Sequence, residues 1–168
     1  MNVTYRYQGS VMTNTHIKGA SDIDLLTFTN KFVSTEIFEV RKILKSPYSS
    51  AYDPYDLTKL RNYADNFSLY TGDFLQDLRE LRASNESVMR KWYDECDIEK
   101  AKAVHIYNKN LKRDVDIVTA CWQDKINFVV KEEEKYRGVA IYNKKTNSTE
   151  PSSCPFLAIE NINNRSAV

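Results

Sequence analysis

The alternation of apolar and polar positions along the chain predicts a fold that mixes strands with helices. Short apolar stretches bounded by polar or turn-forming residues are typical of strands. They occur at Val3 to Tyr7, Asp22 to Phe28, Lys102 to Tyr107, Asp114 to Ala120 and Gly138 to Asn143. The link Asn108-Lys109-Asn110 predicts that the third and fourth of these strands form a hairpin.

The clearest helix signal runs from Asp73 to Asp94. Apolar residues recur there at helical spacing and form one stripe, which we expect to pack in the core. The stripe consists of Phe74, Leu75, Leu78, Leu81, Val88, Met89 and Trp92. Asp73 follows Gly72 and stands where a helix N-cap belongs.

Other segments are less determined by their pattern. Ser34 to Lys45 fits a strand or a helix, and Trp122 to Tyr136 is equally ambiguous. Tyr55 to Ser68 predicts a short helix that begins near Asp56, whereas Ile159 to Val168 becomes rich in asparagine. Together the segments indicate an α+β domain with a mixed, twisted sheet and helices packed mainly on one face.

Composition narrows the classes of function. The chain has 168 residues and a net charge of +1, so it fits one domain and has no overall charge that would attract nucleic acid. Its three cysteines form no paired motif, which favours a reduced, cytoplasmic setting. The sequence has no signal segment and no apolar run of membrane length, so we expect no membrane association. His16 and His105 lack metal-ligand spacing and are expected to lie in the core or on the surface.

The first motif with chemical content is Gln8-Gly9-Ser10, followed by Asp22-Ile23-Asp24. Two carboxylates at positions i and i+2 of a strand point to the same face. A Gly-Ser turn offers backbone N–H groups and a hydroxyl to a polyphosphate. Carboxylates that hold Mg²⁺ beside such a turn are typical of a phosphoryl-transfer site.

The second motif is the predicted strand from Arg113 to Val118. Asp114 and Asp116 share one face of it, while Val115, Ile117 and Val118 supply apolar packing. Only the tertiary fold could bring this strand to Asp24.

The two motifs resemble those of the cGAS/DncV-like nucleotidyltransferases, which include SMODS and oligoadenylate-synthetase-like enzymes of the DNA polymerase β superfamily. The resemblance rests on Gln before Gly-Ser, on Thr15-His16-Ile17, on Asp22-Ile23-Asp24 and on Val115 to Ala120. The last stretch matches the family pattern except that Thr119 replaces a proline. The resemblance assigns the third carboxylate to Asp116, with Asp114 as the alternative.

The resemblance implies a polymerase β-like fold that uses two Mg²⁺ or Mn²⁺ ions. Asp22, Asp24 and Asp116 would be the catalytic metal ligands. The nucleotide would be bound by Gln8, Gly9, Ser10 and Ser21. The substrates would be NTPs (ATP, GTP or others), and the products would be cyclic di- or oligonucleotide second messengers used in bacterial anti-phage signalling.

Two further functions stay open at this stage. One is nucleotidyl transfer to a protein, tRNA or small-molecule acceptor, and the other is a non-catalytic nucleotide-binding module. Complete enzymes of the resembled family have a helix before the Gly-Ser strand and a helical second domain. Residues 1–168 are therefore expected to be a nucleotidyltransferase catalytic domain that lacks both.

Overall fold

The computed structural model describes residues 2–8, 23–46 and 51–167, apart from the side chain of Ser166. The strands in these residues are β1 (Val3–Gln8), β2 (Ile23–Thr29), β3 (Ser34–Thr35), β4 (Cys96–Asp97), β5 (Ala103–Asn108), β6 (Arg113–Asp124), β7 (Gly138–Asn143) and β8 (Ser148–Thr149). The helices are α1 (Ile37–Lys45), α2 (Pro54–Asp65), α3 (Phe74–Trp92), α4 (Ile126–Lys131) and α5 (Pro155–Ser166).

The long strand β6 organises the sheet. Neighbouring strands follow the order β1-β2-β6-β5-β4, with β2 parallel to β6 and the other pairs antiparallel. The last residues of β6 pair instead with β3 and with β7, and β7 pairs in turn with β8. The sheet is therefore mixed, and the predicted β5–β6 hairpin is confirmed.

One face of the sheet carries a stacked aromatic core. Leu26 and Phe28 of β2 are fully buried there beside Trp122 of β6. The rings of Phe28 and Trp122 are parallel, with their centroids 4.1 Å apart. Phe156 of α5 packs against the same cluster, 5.8 Å from the Trp122 ring. This contact explains why an asparagine-rich terminus forms a helix that the sequence pattern did not predict: tertiary packing outweighs weak local propensity.

Helix α3 covers the opposite face. Leu78 and Leu81 are buried against the sheet, and the Asn85 amide donates to the hydroxyls of Thr27 and Thr119 at 2.8 and 3.1 Å. The predicted N-cap is confirmed, since the Asp73 carboxylate accepts from the N–H of Gln76.

The prediction that the whole apolar stripe of α3 is core is wrong at three positions. Phe74, Val88 and Trp92 are 47%, 46% and 71% exposed. Phe74 is the first residue of the helix and Trp92 the last, and helical spacing does not reveal whether a partner surface reaches the helix ends.

The two ambiguous segments each contain more than one element. Ser34 to Lys45 holds both β3 and α1, whereas Trp122 to Tyr136 holds the end of β6, α4 and the 3₁₀ turn Glu134–Tyr136. The predicted short helix is α2, which begins at Pro54 and is capped by Asp53. Helices α1, α2 and α4 share a separate apolar cluster. None of the helices in the described residues is both long and apolar enough to cross a bilayer.

Candidate active site

Four polar side chains lie in one line across the sheet, and we call them the polar row: Gln8, Asp24, Asp116 and His105. Gln8 of β1 pairs with Asp24 of β2, Asp24 pairs with Asp116 of β6, and Asp116 pairs with His105 of β5. Directly paired residues of neighbouring strands point to the same face of a sheet. The fold therefore brings together three of the residues predicted from sequence, and adds His105.

The polar row marks the point where the apolar core of this face ends. Two residues further along the same strands, Leu26 and Val118 are buried in the aromatic cluster. Asp24 and Asp116 are only partly buried. Strand alternation thus places both carboxylates on the face that carries the aromatic cluster, at the point where that face becomes accessible to solvent.

The other predicted site residues, Gly9, Ser10, Ser21 and Asp22, lie outside the described residues. Among the side chains that the structure does describe, no group of three or more His, Cys, Asp and Glu is arranged to hold a metal ion. Of the predicted ligands, only Asp24 and Asp116 are described, so their roles stay predictions.

Asp116 is held by two neighbours. Its Oδ1 lies 2.6 Å from Nδ1 of His105 and 3.2 Å from the Lys100 ammonium, which is also 3.5 Å from Oδ2. The second ring nitrogen of His105 lies 3.1 Å from Asp114. A neutral imidazole carries a single N–H, so it can donate to one of these carboxylates at a time. Asp114, the alternative third ligand, therefore contacts the far nitrogen of the His105 ring, whereas Asp116 is the residue that pairs with Asp24.

His105 was expected to be a core or surface residue, and its place beside Asp116 was missed. The signal was present in the hairpin. Pairing of β5 with β6 about a turn centred between Asn110 and Leu111 sets His105 directly opposite Asp116. The link Asn108-Lys109-Asn110 predicts the hairpin but does not fix its register.

The loop that carries Lys100 is held in place by a buried arginine of α3. Arg82 of α3 donates through Nη2 to the carbonyl oxygens of Ile98, Lys100 and Ala103, at 3.2, 2.9 and 2.8 Å. Its Nε donates to Glu86 at 2.8 Å. Burial alone would raise the pKa of Glu86, but hydrogen bonds from Lys144 and Arg82 outweigh burial and lower the pKa. The Glu86 carboxylate therefore stays charged and fixes the guanidinium.

Thr119, the departure from the family pattern, has a structural role here. It is fully buried in β6 on the α3 face, and its hydroxyl accepts from Asn85. A proline has no hydroxyl to accept this bond. The substitution therefore ties the sheet to α3 without altering the face that carries Asp116.

An apolar groove of about 700 Å³ lies apart from the polar row. Its walls include Phe32, Tyr70, Cys121 and Gln123. Cys121 lies five residues beyond Asp116 along β6, about 16 Å at the usual rise of a strand, and it points to the other face. The groove therefore does not enclose the carboxylates.

Comparison with known proteins gives a consistent family. No family model matches the chain. Over 99% of its length it is 53% identical to a c-di-GMP synthase of Lachnospiraceae bacterium (strain RUG226), and over 96% it is 35% identical to a c-di-GMP synthase of Flavobacteriaceae sp. genome_bin_11. These matches cover 48% and 44% of the two relatives, so the chain spans about half the length of the curated relatives it matches.

A solved structure agrees with the sequence matches. The STING-associated CdnE c-di-GMP synthase from Flavobacteriaceae sp. superposes with a TM-score of 0.87 at 34% identity, over 98% of this chain and 45% of that one. The shared mixed sheet with its helices is a nucleotidyltransferase fold. The chain belongs to the cGAS/DncV-like nucleotidyltransferases.

Proposed function

We propose that the chain is the catalytic domain of a metal-dependent nucleotidyltransferase that joins NTPs into a cyclic di- or oligonucleotide second messenger. The observation that carries this proposal is the alignment of Asp24 with Asp116 on neighbouring strands, with Gln8 beside them. Two carboxylates on one accessible edge can bind divalent cations, and such cations in turn can bind a triphosphate.

The residues present fit Mg²⁺ or Mn²⁺. Asp24 and Asp116 offer only oxygen donors, which these ions prefer. Asp22 would join them, as the sequence motif predicts. When bound, the ions would offset the charge of the triphosphate and lower the pKa of the attacking hydroxyl.

The protein's own contribution is to position the negative charges of the site before the nucleotide binds. Asp24 and Asp116 stand on a backbone ladder that is backed by a packed apolar layer, which fixes their backbone positions before a ligand binds. Gln8, opposite Asp24, offers an amide to the nucleotide. Gly9, Ser10 and Ser21 are proposed to bind phosphate oxygens, as the Gly-Ser motif predicts.

We further propose GTP as the substrate and c-di-GMP as the product. This rests on the relatives, since the two cited above are c-di-GMP synthases. For each phosphodiester bond, a ribose hydroxyl would attack the α-phosphate of a GTP, and pyrophosphate would leave. Formation of the ring therefore consumes two GTP and releases two pyrophosphates.

The test is product analysis by chromatography and mass spectrometry after incubation with all four NTPs and Mg²⁺ or Mn²⁺. It should be applied to this chain and to the full-length gene product. Asp24→Asn and Asp116→Asn should each lower product formation by about 100-fold or more. Asp94→Asn is the matched control, because Asp94 is exposed and its carboxylate pairs with Lys109, which is exposed as well. A phosphatase-resistant cyclic product that requires both aspartates would support the proposal.

Other outcomes would replace it. Label transferred to a protein, tRNA or small-molecule acceptor, without a cyclic product, would identify a different transferase. Binding of NTP without release of pyrophosphate from the full-length protein would identify a non-catalytic nucleotide-binding module.

A further inference from the structure

Lys100 makes a contact that a divalent cation would have to break. We propose that its ammonium is a built-in counter-ion of Asp116, which holds this carboxylate until a divalent cation binds and competes with that cation for it. The inference rests on the proposed function, because it takes Asp116 to be a metal ligand.

The two positions overlap at the carboxylate. The Lys100 ammonium lies 3.2 Å from Oδ1 and 3.5 Å from Oδ2 of Asp116, so it faces both oxygens. Mg²⁺ or Mn²⁺ would bind the same oxygens at about 2.1 Å. A monovalent and a divalent charge only a few ångströms apart would repel strongly. The ammonium must therefore leave Asp116 when the ion binds.

The structure gives Lys100 the freedom to leave. Its side chain is 43% exposed and ends on a flexible four-carbon stem. Its backbone, by contrast, is fixed, because Arg82 binds the carbonyl of Lys100 and those of Ile98 and Ala103. The ammonium can thus rotate into solvent while the loop stays in place.

His105 is the partner that stays. Its ring is less exposed than the Lys100 side chain, and its second nitrogen faces Asp114. Its Nδ1 lies 2.6 Å from Oδ1 of Asp116 and 3.0 Å from the Lys100 ammonium, so the ring can keep its contact with Oδ1 when the ammonium moves away. Displacement of Lys100 therefore leaves Asp116 oriented.

The measurable consequence is that Lys100 weakens cation binding. Removing its charge should tighten the binding of Mn²⁺ by about 3- to 10-fold, as expected for one partly screened charge near the ion. Conservation of the charge in Lys100→Arg should keep the affinity close to that of the wild type.

The experiment is a Mn²⁺ titration followed by electron paramagnetic resonance, which reports free Mn²⁺ and needs no turnover. It compares the wild-type chain with Lys100→Met, Lys100→Arg and Lys102→Met, each first checked for folding by circular dichroism. Lys102 is the matched control: it belongs to the same loop and changes the net charge equally, but its ammonium contacts Glu150 at 3.4 Å. Only Lys100→Met should bind Mn²⁺ more tightly.

A double variant separates this inference from the proposed function. In the background of Asp116→Asn, adding Lys100→Met should give no gain in affinity. If Mn²⁺ binding depends on Asp24 and Asp116 but Lys100→Met is no tighter than Lys102→Met, the counter-ion role is wrong and the proposed metal site stands. If the wild type does not bind Mn²⁺, or binds it equally well after Asp24→Asn and after Asp116→Asn, both proposals fail.

Discussion

Asp24 lies directly opposite Asp116 in the parallel pairing of β2 with β6. Helices α1, α2 and α3 and strands β3 to β5 separate the two residues along the chain. The pairing makes them one structural unit, in which each carboxylate is positioned by the same backbone ladder.

A unit of this kind predicts strong non-additivity. Asp24→Asn and Asp116→Asn should each lower product formation by about 100-fold or more, because each leaves the charge at the reacting phosphate incompletely offset. The double variant should be no slower than the more damaging single variant. Steady-state rates of pyrophosphate release check this. Losses that multiply would show that the two carboxylates act independently.

His105 is expected to act through Asp116 as a positioning residue. His105→Leu removes the ring nitrogen that lies 2.6 Å from Oδ1 of Asp116. It should lower kcat by about 10- to 100-fold, as expected when a metal ligand loses the hydrogen bond that orients it. His105→Gln keeps an amide donor and should retain more activity. The matched measurement is the urea midpoint of both variants. If both lose activity equally and both lose stability, the residue has only a structural role.

The strands and the carboxylates could be predicted from the sequence because both depend on local pattern. On one face of β2, Asp24 precedes the buried Leu26, and on the same face of the sheet in β6, Asp116 precedes the buried Val118. Each aspartate therefore stands where the apolar core of that face ends.

The register of the strands could not be predicted. Asp116 pairs with both Asp24 and His105, and these pairings depend on which residues align across neighbouring strands. The role of Lys100 could not be predicted for a similar reason. Its backbone is positioned by a hydrogen bond that its carbonyl oxygen accepts from Arg82, a buried residue distant in sequence.

The apolar stripe of α3 should separate into core and surface positions when tested. Leu78 is fully buried, so Leu78→Ala should lower the free energy of unfolding by about 2 to 5 kcal/mol. Trp92 is 71% exposed, and Trp92→Ala should change it by less than about 1 kcal/mol, although more side-chain atoms are removed. Urea unfolding of both variants measures the difference. A larger loss for Trp92→Ala would mean that another surface covers the end of α3.

Asp77 should make stability depend on pH in the acidic range. Hydrogen bonds from Lys31 and then from the Tyr70 hydroxyl lower the pKa of this carboxyl. Because the folded pKa lies below the unfolded value of about 3.9, the stabilisation is fully present above the unfolded pKa. It is lost as pH falls through the folded pKa.

Asp77→Asn tests the sign directly. The variant should be less stable than the wild type at pH 7, and the gap should narrow as pH falls from about 5 towards 2, because the wild type loses the same contribution by protonation. Tyr70→Phe removes one of the two hydrogen-bond donors. In this background, the stability lost through Asp77→Asn at pH 7 should therefore be smaller than in the wild type. Free energies of unfolding in urea at a series of pH values, with the carboxyl ¹³C titration of Asp77, provide the measurement. A gap that stays constant from pH 7 to 2 would show that the folded protein does not stabilise the ionised form of Asp77.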